Sequence, residues 1–146
     1  MKLRAAYLSM HRAFDQLFRQ YGVTADQFVL LRALAEEQGI TQKELSARIC
    51  SDENTVAAMI SLIESKAIIR REVASSDGRA RLVYLTKAGV SLLKSIIRKS
   101  TGLHRVVARC FEGPGKSAAY RVLERISIAT SASRNRDGRR RSIKSA

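Results

Sequence analysis

Residues 77–89 constrain the fold of this chain more than any other segment. They follow two closely spaced helical patterns. Two short runs of strand-like composition, residues 68–73 and 81–85, lie here, and the second run falls within residues 77–89. The residues between the runs, 74–80, include Ser75, Ser76 and Gly78, which are typical of turns. The pattern predicts a mainly α-helical fold that carries a small β-hairpin.

Residues 3–21 contain a narrow apolar seam, in which apolar side chains recur at alternating steps of four and three residues. This spacing predicts a helix over residues 3–21. Its members are Leu3, Tyr7, Met10, Phe14, Leu17 and Tyr21. Gly22 closes this helix. The seam packs either into its own subunit, which is the default expectation, or against a partner.

Two capping boxes follow, Thr24 with Gln27 and Thr41 with Glu44, and each predicts the start of a helix. The second helix is expected to end at Gly39. Its predicted inward face comprises Phe28, Leu31, Leu34 and Ala35. The predicted inward residues of the short third helix are Leu45 and Ile49.

A fourth helix is expected after residues 50–52, with Ser51 or Asp52 as its cap. Its predicted inward residues are Val56, Ile60, Ile63 and Ala67. Its outer residues are Asn54, Thr55, Ala58, Ser61 and Ser65. A solvated helix face more often carries Lys and Glu, so these small and polar side chains favour a helix that fits into a groove.

The C-terminal half predicts two more helices. Thr86 can cap a fifth helix over residues 87–110, in which Gly102 can introduce a kink. Residues 116–130 predict a sixth helix with an apolar face of Ala119, Val122, Leu123 and Ile126. We expect residues 1–132 to form one domain and the polar, basic residues 133–146 to be disordered.

The net charge is +14, from 27 basic and 13 acidic residues. Residues 133–146 hold six basic residues and one acidic residue, so they account for five charges and leave nine on the other 132 residues. A basic folded body predicts a polyanionic partner. The charge alone is equally consistent with a generally soluble basic surface.

No catalytic, metal or cofactor site is predicted. His11 and His104 have no partners at ligand spacing, and residues 113–117 resemble the end of a P-loop but have Cys110 where that motif needs glycine. An interhelical turn is the better interpretation. We expect Cys50 and Cys110 to be buried, inert thiols. The absence of a signal peptide or long apolar run predicts a cytoplasmic protein with no membrane partner.

Residues 24–89 resemble the multiple antibiotic resistance regulator (MarR) family of bacterial transcription factors. The segments that carry the resemblance are Thr41-Gln42-Lys43-Glu44-Leu45, Asn54-Thr55-Val56, Leu62-Ile63-Glu64, Ile69-Arg70-Arg71, Asp77-Gly78-Arg79 and Leu85-Thr86-Lys87-Ala88-Gly89. The resemblance implies a winged helix-turn-helix, with the helix-turn-helix over residues 41–66 and the wing over residues 69–85. It also implies dimerisation through helices over residues 3–21, 87–110 and 116–130.

The resemblance also implies residue roles. The implied DNA contacts are Gln42, Lys43, Ser51, Asn54, Thr55, Ala58, Ser61, Arg79 and Arg81. Asp77 and Gly78 would shape the wing. The implied dimer interface contains Leu3, Tyr7, Met10, Phe14 and Leu17. His11, Arg12 and Phe14 are candidates for contact with a small aromatic effector, although packing or solvent exposure is the default expectation for each.

Two departures from the family pattern stand out. Ala67 occupies a position where relatives usually have glycine. This predicts a tighter turn or a slightly longer fourth helix, which is the recognition helix that the resemblance implies. The groove face of that helix lacks Arg and Lys, and Asp52 and Glu53 lie at its start. Acidic residues there favour the helix dipole but repel phosphate.

The function that this resemblance implies is sequence-specific regulation of transcription, most often repression. A homodimer would bind double-stranded DNA at a pseudo-palindromic operator, and in many relatives a small aromatic ligand releases it. The alternative is a non-specific or architectural nucleic-acid-binding protein that uses charge alone. The resemblance implies no enzymatic activity.

Overall fold

The computed structural model describes residues 1–74, 80–113 and 115–128. Its helices are α1 (Lys2–Phe18, continued by a 3₁₀ turn at Arg19–Tyr21), α2 (Ala25–Glu36), α3 (Gln42–Arg48), α4 (Glu53–Ser65), α5 (Lys87–Arg109) and α6 (116–128). Its strands are β1 (Ile40–Thr41), β2 (Ile69–Val73) and β3 (Arg81–Leu85). The predictions for Asp77, Gly78, Arg79, Pro114 and residues 133–146 lie outside the described residues.

The chain divides into two compact units, Met1–His104 and a second that begins at Arg105. The first unit contains the hydrophobic core, to which α1 to α5 and the sheet all contribute. The second contains the end of α5 and α6, and in it the ring centroids of Phe111 and Tyr120 lie 5.5 Å apart.

The apolar seam of α1 is divided between the core and the surface. Phe14, Leu17 and Tyr21 pack against the core, and Gly22 ends the segment in the left-handed conformation with φ of 70°. Leu3 and Tyr7 are 58% and 52% exposed, and Met10 is also exposed. The default alternative, burial of the seam in its own subunit, therefore does not hold for its N-terminal half, and the dimer interface stays a prediction.

Both predicted capping boxes are present. The Thr24 hydroxyl accepts from the Gln27 backbone N–H at 3.2 Å while the Gln27 side chain accepts from Thr24 N–H at 3.1 Å. Thr41 and Glu44 form the same reciprocal pair. These bonds satisfy backbone donors that have no partner within the helix.

The C-terminal end and inward face of α2 differ from the prediction. The helix ends at Glu36, where the backbone of Glu37 becomes extended, and Gly39 lies in the turn beyond it. Ala35 is exposed, whereas Leu30 and Ala33 are buried. The core contacts α2 on two sides, so a wider set of residues is buried than the single predicted face.

Helix α4 is held by one fully buried face. Val56, Ile60 and Ile63 have no exposed surface, as predicted, and the Asp52 side chain caps the helix by accepting from Thr55 N–H at 2.8 Å. Ala67 was predicted to continue this face, but it is exposed and lies beyond the helix with φ of 55°. A left-handed backbone explains why glycine suits this position.

The sheet has three antiparallel strands in the order β1-β3-β2, one strand more than the predicted two-stranded hairpin of β2 and β3. Ile69 pairs with Leu85 and Arg71 with Val83, and Ile40 of β1 pairs with Val83 from the other side. A two-residue strand is too short to show alternation in sequence. It anchors the start of the helix-turn-helix to the wing.

One junction joins α4, both wing strands and α5. The Ile68 carbonyl accepts from the Thr86 N–H at 3.0 Å, and the Thr86 hydroxyl reaches the Ala67 carbonyl at 2.7 Å. The same hydroxyl accepts from Gly89 N–H at 3.0 Å, which confirms Thr86 as the cap of α5. A Cβ added to Gly89 would lie 2.1 Å from the Ile68 carbonyl oxygen.

The C-terminal predictions are confirmed in part. Gly102 lies inside an unbroken α5, and Gly113 and Gly115 lie between helices, as expected for an interhelical turn. Val122, Leu123 and Ile126 of α6 are exposed, so the prediction that they face inward is wrong. Cys50 and Cys110 are also exposed, so the prediction of buried thiols is wrong.

Within the described ranges, we find no helix that is long and apolar enough to cross a membrane.

We predict that Gly89→Ala destabilises the fold by about 2 kcal/mol because the new methyl group overlaps the Ile68 carbonyl. Gly102→Ala, in the same helix, meets no atom within 4 Å. It should stabilise the fold by roughly 0.5–1 kcal/mol, since alanine favours helix. Urea unfolding measures both, and equal effects of the two changes would contradict the close contact.

Candidate nucleic-acid interface

The outer face of α4 is a polar surface of small side chains. Asn54, Thr55, Ala58 and Ser61 are all exposed. They lie opposite Val56, Ile60 and Ile63, whose complete burial fixes the rotation of the helix about its axis. The structure therefore presents these four predicted contact residues together on one rigid face.

The start of α4 is negatively charged. Hydrogen bonds from the Thr55 side chain and backbone hold the pKa of Asp52 below its ordinary value. Asp52 is therefore ionised at neutral pH, and Glu53 lies next to it in the first turn. The carboxylate already occupies the N–H groups with which a helix start would otherwise bind a phosphate.

The starts of α3 and α4 are tied together by Gln42. Its side-chain amide donates to the Glu53 carbonyl at 3.1 Å, while the adjacent Lys43 is exposed. Ser51 is half-buried and its backbone N–H donates to the Ser46 carbonyl at 3.0 Å. The turn before it passes through Cys50, whose φ of 55° was not predicted from the sequence.

The described part of the wing places Arg81 on its surface, at the first position of β3 and opposite Val73. The neighbouring residues of β2 have partners of their own. The guanidinium of Arg70 lies 4.8 Å from the centre of the Tyr84 ring and forms an ion pair with Glu72. Arg81 is thus the predicted wing contact that the described residues place at the surface.

Glu64 joins the end of α4 to the wing. Its carboxylate accepts from the Arg71 backbone N–H at 3.1 Å and from Arg71 Nε at 2.9 Å. Hydrogen bonding by the Arg71 side chain holds the pKa of Glu64 below its ordinary value, and the charge of Arg81 adds a smaller effect. Glu64 and Arg71 lie in segments that resemble the family, but their pairing was not predicted from the sequence.

A cavity of about 210 Å³ lies between α1, α2 and α5. Its wall is largely aromatic. The residues that line it are Tyr7, Met10, His11, Phe14, Phe18, Ala25, Asp26, Phe28, Val29 and His104. His11 and Phe14 were predicted ligand contacts and line it; Arg12, the third candidate, is exposed and is not among the lining residues.

The cavity adjoins a groove that extends to the start of α4. Tyr7, Asp26 and Val29 line both spaces, and Ser51 and Thr55 line the far part of the groove. A molecule in the cavity would therefore lie next to a space bounded by two of the predicted DNA contacts.

The three-stranded wing packed beside a helix-turn-helix defines a winged-helix protein, and comparisons with known proteins identify its family. Residues 23–80 match the model of the MarR family. The transcriptional regulator HosA of Escherichia coli is 33% identical over 91 residues, which cover 56% of this chain and 67% of HosA. The chain belongs to the MarR family of transcriptional regulators.

Solved structures of MarR regulators share the fold. The Mycobacterium tuberculosis regulator MOSR, in complex with DNA, has a TM-score of 0.78 and 22% identity, with 91% of this chain and 96% of MOSR covered. The Staphylococcus aureus MepR–DNA complex has a TM-score of 0.80 and 21% identity, covering 88% and 94%. The predicted family and fold class are confirmed, and these relatives are regulators rather than enzymes.

We predict that Glu64→Gln lowers the free energy of unfolding by about 1 kcal/mol at pH 7. The pKa of Glu64 is lower in the folded chain than its ordinary value of 4.5, so its charge stabilises the fold above that pH. This contribution is lost as the pH falls through the lowered pKa. The difference between variant and wild type should therefore shrink towards pH 3.

The control is Glu36→Gln, which removes a surface ion pair with Arg32 in which both side chains are largely exposed. It should change stability by less than about 0.5 kcal/mol at either pH. Chemical unfolding at a series of pH values provides the comparison. A Glu64→Gln difference that stays constant from pH 7 to pH 3 would show that the Arg71 pair does not stabilise the wing.

Proposed function

We propose that this chain is a DNA-binding transcriptional repressor that acts as a homodimer on a pseudo-palindromic operator. The observation that carries the proposal is the exposed, small and polar face of α4. A helix that enters the major groove must let its backbone approach the bases, and long charged side chains would hold it away. The excess of nine positive charges outside residues 133–146 supports a polyanionic partner.

In this proposal, α4 reads bases and the surrounding residues bind the backbone. Asn54 pairs with adenine, Thr55 contacts a thymine methyl group, and Ala58 permits close approach. Lys43 and Arg81 bind phosphates, since both are exposed. Gln42, Ser51 and Ser61 are proposed to contact phosphates, and Arg79 is proposed to enter the minor groove.

The exposed apolar surfaces support a homodimer. Leu3, Tyr7 and Met10 form one exposed stripe on α1, and in the second unit Val122 and Ile128 are 52% and 63% exposed on α6. An exposed apolar stripe such as the one on α1 often marks an interaction site. A two-fold dimer would place two α4 helices about one DNA turn apart.

The cavity supports control by a small ligand. It adjoins the groove that reaches Ser51 and Thr55, so an occupant can favour one position of α4 over another. Ligand binding would then lower the affinity for the operator, and operator binding would lower the affinity for the ligand to the same extent.

The alternative function is non-specific or architectural binding of nucleic acid, which the net charge of +14 favours. Such binding falls steeply with salt and is insensitive to sequence. Selection of bound sequences from random duplex DNA at physiological salt separates the two functions. A two-fold related motif would support the regulator, and tight binding without any motif would support the alternative.

We predict that Asn54→Ala costs about 1–3 kcal/mol on the selected operator and relaxes the preference at one base pair of each half-site. Arg81→Ala should instead weaken binding to every sequence and reduce the salt slope by about one per subunit. Fluorescence anisotropy over a range of salt concentrations measures both. If Asn54→Ala weakened all sequences equally, base reading by Asn54 would be excluded.

We also predict that Asp52→Asn strengthens DNA binding severalfold at low salt. Asparagine caps helices as well as aspartate does, so the fold is retained while a charge that repels phosphate is removed. The gain should disappear at high salt. Glu36→Gln, which removes a charge from α2, is the matched control, and an equal gain in both variants would contradict a local effect of Asp52.

A further inference from the structure

We propose that the cavity between α1, α2 and α5 selects a small aromatic ammonium cation. This inference rests on the proposed function, because it names the chemical class of the ligand that would control operator binding. It does not follow from the presence of an aromatic cavity alone. It follows from the combination of aromatic walls, one carboxylate and the absence of Lys and Arg among the described residues of the lining.

The walls offer ring faces to a cation. The ring centroids of Phe14 and His104 are 4.7 Å apart, and those of Phe18 and Phe28 are 4.6 Å apart. Phenylalanine rings attract cations through the negative potential of their faces, and the attraction increases when the cation leaves water. These rings pack against each other, so an aromatic amine would place its own ring against the cavity side of the cluster, with its ammonium group close to the aromatic wall.

The lining contains one carboxylate, that of Asp26, and its described residues include no guanidinium or lysine ammonium group. A carboxylate ligand would meet the Asp26 carboxylate with no guanidinium or ammonium group of the described lining to offset it. A cationic ligand would meet the opposite charge. The Asp26 side chain is 61% exposed, so a ligand can reach it.

Two histidines complete the polar part of the cavity. His11 Nε2 lies 3.3 Å from Asp26 Oδ1, which leaves Oδ2 of Asp26 to accept from a ligand. His104 Nδ1 lies 3.0 Å from the Ser100 carbonyl, and only a protonated Nδ1 can donate to that oxygen. In a neutral His104, Nε2 is then an acceptor. The cavity thus offers acceptors to the N–H groups of an ammonium ion.

The test uses three probes with one ring system and three charges: tryptamine, indole and indole-3-acetate. Calorimetric titration of the full chain at pH 7.5, without DNA, measures each affinity. We expect tryptamine to bind at least tenfold more tightly than indole, and indole-3-acetate to bind more weakly than indole. Because DNA is absent, the result is independent of whether the proposed operator binding is correct.

The variant Asp26→Asn removes the charge but keeps the size of the side chain. It should reduce tryptamine affinity about tenfold, leave indole affinity unchanged and bring indole-3-acetate close to indole. Unchanged indole binding shows that the cavity is intact. Glu36→Gln, also on α2 but outside the lining, should leave all three affinities unchanged.

Four results would overturn the proposal. They are indole-3-acetate binding as tightly as tryptamine, no binding of any probe at millimolar concentration, no effect of Asp26→Asn on the order of affinities, or an equal effect of Glu36→Gln. Failure of the proposed function has a different signature, namely the absence of a selected DNA motif with the unliganded protein.

Discussion

The arrangement of α4, the wing strands and the start of α5 depends on the carbonyl of Ile68. This carbonyl accepts from the backbone of Thr86, whose hydroxyl bonds the neighbouring Ala67 carbonyl, and Gly89 packs directly against it. The contacts join the end of α4, the two ends of the wing hairpin and the start of α5. A side chain at residue 89 would separate these elements, so the orientation of the wing relative to α4 depends on the missing Cβ.

In the proposed interface, the outer face of α4 is uncharged and the basic residues lie around it. The face of α4 carries hydroxyl, amide and methyl groups, and its first turn is acidic through Asp52 and Glu53. Attraction to DNA must therefore come from residues around the helix, such as Lys43 and Arg81, and from the general positive charge. In such an arrangement the base contacts contribute specificity, while affinity remains strongly dependent on salt.

The exposed side chains of α1 connect two parts of the proposed mechanism. Tyr7 and Met10 belong to the apolar stripe proposed to form the dimer, and both also line the cavity. Dimer formation and ligand binding would therefore share residues, and Tyr7 further borders the groove that reaches Thr55. Dimerisation through α1, ligand binding and DNA binding are therefore proposed to share residues of the first unit.

Local sequence determined the helix starts and the hairpin, because caps such as Thr24, Thr41 and Thr86 act within three residues of themselves. It also determined the family, through motifs spread over the wing and α4. Only the tertiary structure decided the left-handed Ala67, the exposure of Cys50 and the pairing of Glu64 with Arg71. Likewise, Asp26 and His104 are 78 positions apart in the chain. They line one cavity because packing depends on contacts between distant segments, which periodicity and capping do not encode.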